Sequence, residues 1–90
     1  MVGPLPGADL VRDGLDDLAA GVISDRALLV LIGAPRLRQL GIAVPDTDVD
    51  GAEHRLYQRL AAEDPATAHS RYNALIRRLV SFERALACAT

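Results

Sequence analysis

The side chains able to do chemistry in this chain are few and scattered. His54 and His69 stand 15 residues apart with one cysteine, Cys88, far from both. A zinc site would therefore have to recruit carboxylates such as Glu53 or Glu83. Ser24, Ser70 and Ser81 lie outside any Gly-x-Ser-x-Gly elbow, and no glycine-rich phosphate loop occurs. All ten basic residues are arginine, which removes Schiff-base chemistry on lysine and the lysine of a phosphate-binding loop. His69 and Glu83 could act as an acid–base pair, but no nucleophile accompanies them. The expectation is a protein that is not an enzyme and needs no metal or cofactor.

A pattern does emerge near the C-terminus. Ala68, Tyr72, Leu75, Leu79, Phe82 and Leu86 follow one another at spacings of 4, 3, 4, 3 and 4, a heptad seam that Ile76 and Val80 broaden. Such a stripe either closes the chain's own core or pairs with a second chain. In a parallel pair of these helices Arg78 would face Glu83 of the other copy. Arg71, Arg77, Arg78 and Arg84, with Arg55 and Arg59 upstream, make a basic flank whose planar guanidinium forks suit carboxylate or phosphate. The plainer alternative is a solvated flank with Asp13, Asp16 and Asp17 as internal counter-ions. The candidate partner-binding set is thus Arg71, Tyr72, Leu75, Arg78, Leu79 and Phe82. His69, one turn before Tyr72 and Asn73, is expected to make a local hydrogen bond.

The elements that must position these residues read as helices. Ala8 to Ala20 puts Leu10, Val11, Leu15 and Leu18 on one side, with Gly21 as a left-handed cap. Gly14 inside it costs about 1 kcal/mol against alanine, tolerable where another element packs closely. Ser24 or Asp25 caps a second helix that Leu28 to Ile32 make apolar all the way round, as for an element covered on every side. Gly33, Ala34 and Pro35 should break or kink it, with another turn or two from Arg36 to Leu40 ended by Gly41. This leaves a helix-turn-helix near Ser24 to Leu40 open. Val44 to Gly51 reads as a turn-rich segment. A third helix runs from Asp50 or Gly51 to Glu63, inward through Ala52, Leu56, Tyr57 and Leu60. Asp64-Pro65 then pairs a strong N-cap with a residue pre-set for the first helical position, opening a last helix from Ala66 to about Ala87.

Ninety residues at 9.6 kDa bound the answer to one domain, residues 1–90, with 1–7 a flexible lead-in. Half the residues are apolar and 24% are charged, a composition that folds rather than stays disordered. The fold class expected is all-α, a small four- to five-helix bundle around the second helix and the long last one. The longest apolar run, Ala27 to Ala34, falls well short of the roughly 20 residues of a membrane span. No signal peptide is read at Met1 to Gly7, and the lone cysteine fits a reducing compartment, so the expected location is the cytoplasm. The arginine and alanine bias reads as a bacterial genome rich in G and C.

Net charge is −2, the wrong sign for bulk binding to nucleic acid or an anionic membrane. It conceals a gradient, with residues 1–50 at −4 (eight acids, four arginines) and residues 51–90 at +2 (four acids, six arginines). That suits charge pairing within the molecule or with a partner. The functional expectation is a small protein-binding module, an antitoxin or immunity-type protein that neutralises an enzyme, acting on another protein or paired with itself as a homodimer. A small DNA-binding transcriptional regulator is the alternative, using Arg36, Arg38 or the arginines of the last helix.

Overall fold

The computed structural model describes residues 5–89. Four helices follow in order: α1 (Ala8–Ala19), α2 (Asp25–Gln39), α3 (Ala52–Glu63) and α4 (Ala68–Ala89). The protein is all-α, a four-helix bundle with a long C-terminal helix. α2 and α4 each pack against the three other helices, whereas α1 and α3 do not touch. Leu5, from the lead-in read as flexible, packs against the core, and its carbonyl accepts from the Ala8 amide at 3.0 Å. Residues 1–4 of that lead-in lie outside the described residues.

The caps follow local chemistry. At the end of α1 the Gly21 amide donates to the Leu18 carbonyl and Val22 to Asp17, the two bonds of a Schellman cap, with Gly21 at φ +76°. Gly41 closes α2 in the same way, through Ile42 to Leu37 and its own amide to Arg38. Ser24 accepts from the Ala27 amide at 3.1 Å and donates to Asp17, tying the start of α2 to the end of α1.

Of the break or kink expected at Pro35, the break does not occur. α2 runs unbroken from Asp25 to Gln39 with Pro35 inside it, so the described residues form four helices, within the four to five expected, and no helix-turn-helix within 24–40. Pro35 cannot supply the amide that the Leu31 carbonyl would accept, a loss of about 3 kcal/mol in a helix interior. Burial on its far side offsets this: Ala34 and Leu37 are both in the core, and a fully buried leucine contributes roughly 1.5–3 kcal/mol.

Two glycines set how closely the helices approach. A Cβ on Gly14 would stand 2.4 Å from the Arg26 carbonyl oxygen and 2.5 Å from a Val30 methyl, so α1 rests directly on the backbone of α2. At Gly33 of α2 the neighbours are the Leu79 methyls, at 3.0 Å. Around these contacts Leu10, Val11, Leu28, Leu29, Leu56 and Leu60 fill the core. α4 begins at Ala68, not Ala66: the Asp64 carboxylate accepts from the Ala66 amide and the Thr67 hydroxyl, capping a turn at 65–67 that precedes the helix proper.

Candidate functional site

The structure disperses the six candidate partner-binding residues. Leu79 and Phe82 are 4% and 6% exposed and belong to the intramolecular core, so a docking partner does not reach them. The seam is therefore chiefly self-closing. Arg78 donates to both oxygens of Asp9, at 3.1 and 3.3 Å, and Arg71 to Glu63 at 2.8 Å. Arg78 holds Asp9, and Glu83 lies across Gly33 within the field of Arg36. Leu75 is half-buried beside Leu10 and Leu60 in a small cavity of about 340 Å³. Tyr72 remains partly open, its ring edge-to-face with that of Tyr57 at 5.7 Å.

The counter-ions also differ from expectation. Asp13 pairs with Arg26 and Asp17 accepts from Ser24, while the helix-spanning pairs to later arginines come from Asp9 and from Asp25, which holds Arg59 at 2.5 Å. The charge gradient is consumed in part inside the molecule because the helix crossings bring these acids to the C-terminal arginines. Among the described residues Arg12, Arg36, Arg55, Arg77 and Arg84 form no ion pair, and they are spread over all four helices.

Electrostatics mark three groups. Partial desolvation pulls the Asp9 carboxyl upward, but Arg78 and the amide of Leu10 at the start of α1 outweigh it and hold the group below its ordinary value. Desolvation, reinforced by the nearby Glu53 carboxylate, raises the Tyr72 phenol. Desolvation also raises Glu83, with Arg36 only partly offsetting it. His69 is exposed and within 3.2 Å of the Asn73 amide, the local contact expected.

The feature not anticipated from sequence lies on α2. Tyr57, read as inward-facing, is 38% exposed, and Leu31 and Ile32, read as covered on every side, are only half-buried. Three helices pack against α2, and its remaining flank faces the segment at 46–51 and the first residues of α3. Between them lies an open groove of about 670 Å³ with Leu31, Ile32 and Val49 among its apolar lining. Arg38 fixes the wall by donating to the Val44 carbonyl at 3.0 Å and to Asp46 at 3.2 Å. Asp46, Asp48 and Glu53 rim it.

The available signal was the alternation Asp46-x-Asp48-x-Asp50-Gly51, which looks like the first half of a calcium loop. Its twelfth position falls on Tyr57 instead of a bidentate glutamate. No three His, Cys, Asp or Glu side chains gather as a metal site among the described residues. No described helix is long and apolar enough to cross a membrane. No family model, curated protein or solved structure matches the chain.

Proposed function

We propose that this chain is a small protein-binding module of antitoxin or immunity type, which neutralises a partner enzyme by covering part of its surface and performs no reaction itself. The supporting observation is the face made of the α2 groove and the Tyr57–Tyr72 pair. It combines half-buried apolar residues, a partly open aromatic pair and two carboxylates, Asp48 and Glu53, without ion pairs. Tyrosines with apolar neighbours inside a polar rim are the usual composition of a binding hot spot. Glu53 joins the two parts, since it lines the groove and its charge acts on Tyr72.

The test is purification of the chain from its own cells under gentle conditions, followed by assay of whatever accompanies it. The expected result is a stoichiometric enzyme whose activity falls when more of the chain is added. A chain that elutes alone, or with a protein whose activity it does not alter, overturns the proposal. The alternative reading, a DNA-binding regulator, has the arginines outside ion pairs, Arg12, Arg36, Arg55, Arg77 and Arg84, in its favour. Binding of duplex DNA that weakens steeply with salt would establish it.

A further inference from the structure

The stretch Leu28 to Ile32 of α2 is apolar around its whole circumference, yet one flank of it faces the segment at 46–51 and the first residues of α3 across an open groove. On that flank Leu31 and Ile32 stay half-buried, packed against the core on one side and open to the groove on the other. The rim chemistry narrows what would cover them. Asp46, Asp48 and Glu53 face a single guanidinium, Arg38, which is already committed to Asp46 and to the Val44 carbonyl. Elsewhere Asp9, Asp13, Asp25 and Glu63 each hold an arginine, while Asp16, Asp17, Asp64 and Glu83 do not and line no part of this groove. Asp48 and Glu53 have no such partner among the described residues. An apolar floor with surplus negative charge at its edge repels anionic occupants and suits a chain that brings aliphatic side chains and cations together.

Building on the binding-module reading, we infer that this groove receives an apolar segment of the partner protein that carries lysine or arginine. Its aliphatic side chains rest on Leu31, Ile32 and Val49, and its cations meet Asp48 and Glu53. The charge complementarity fits a partner enzyme with a basic surface, as enzymes that act on polyanions have.

Two short synthetic amphipathic helices test this, one of leucine and lysine and one of leucine and glutamate, titrated into the isotopically labelled protein with amide shifts followed by NMR. The lysine peptide should shift amides at 31–34 and 46–53 and bind less tightly as salt rises. The glutamate peptide should not bind. The double variant Asp48→Arg/Glu53→Arg, at exposed positions, should keep the wild-type melting temperature and lose at least about tenfold in affinity. Asp16→Arg, an exposed acid on α1, should bind as wild type.

Equal binding of both peptides, shifts centred on α4 near Ile76, or unchanged affinity in the double variant would overturn the inference. So would self-association in light scattering that the double variant abolishes, because the occupant would then be a second copy. The two readings separate cleanly. A co-purified enzyme that the double variant still neutralises leaves the binding module standing and removes the groove from it. Groove-specific peptide binding with no partner enzyme does the reverse.

Discussion

Replacing Gly14 by alanine sets two effects of opposite sign against each other. In a solvent-exposed helix the change stabilises by about 1 kcal/mol, since alanine loses less backbone freedom. Here the new Cβ would lie 2.4 Å from the Arg26 carbonyl oxygen and 2.5 Å from a Val30 methyl, and a backbone carbonyl has no rotamer by which to withdraw. Relief to ordinary contact near 3.4 Å requires α1 and α2 to part by about 1 Å, a gap that forfeits up to about half of each dispersion contact across the crossing. Leu10, Val11 and Leu28 belong to the core these helices close. Overpacking of this kind costs roughly 1–3 kcal/mol and more where backbone is involved, so the net effect is a loss of about 2 kcal/mol. At 4–8 °C per kcal/mol for a domain of this size, the melting temperature should fall by roughly 8–16 °C.

Thermal and urea unfolding followed by circular dichroism measure this directly, with two glycines as controls. Gly33→Ala meets only the flexible tips of Leu79 and the Glu83 carboxylate, at 3.0 and 3.3 Å, and should stay within about 1 kcal/mol of wild type. Gly21→Ala meets nothing within 4 Å but must hold φ +76°, and should lose about 1 kcal/mol. A Gly14→Ala protein as stable as wild type, or more so, would refute the close α1–α2 crossing.

Three further outcomes are expected. Leu29→Asp, at a position with no exposure, should abolish cooperative unfolding, whereas Leu31→Asp, half-buried at the groove, should stay folded at a cost of roughly 1–2 kcal/mol, both read by circular dichroism. Glu83 is harder to ionise in the folded state than in the unfolded chain, so it favours the folded state only while protonated and weakens it as pH rises through its folded value. Glu83→Gln should therefore raise the melting temperature at pH 7, with a difference that shrinks in acid below the ordinary carboxyl range; an equal gain at both pH values would contradict this. Added calcium should leave the unfolding curve unchanged, because Asp46 is held by Arg38 and the twelfth loop position is Tyr57; a calcium-dependent rise would show that the acids at 46–50 rearrange to a site.

How much of this was legible beforehand follows the range of the interactions. Helix type, the Gly21 and Gly41 caps, the Ser24 cap and the central place of the second and last helices were all readable, because caps and periodicity are set by residues within a few positions of one another. Pro35 misled for the same reason: local chemistry argues for a break, and only the burial of Ala34 and Leu37 carries the helix through. On α4, the heptad spacing of Leu79 and Phe82 is the same whether the partner is a second chain or α2, and tertiary packing decided for the core. The arginines were visible as a class, but Asp9 reaches Arg78 across 69 residues through the bundle's topology, which no local pattern encodes. The groove on α2 was the least legible feature. An all-apolar stretch states that each side prefers cover, and only the folded arrangement of the other three helices shows which side faces the acidic 46–51 segment and the first residues of α3.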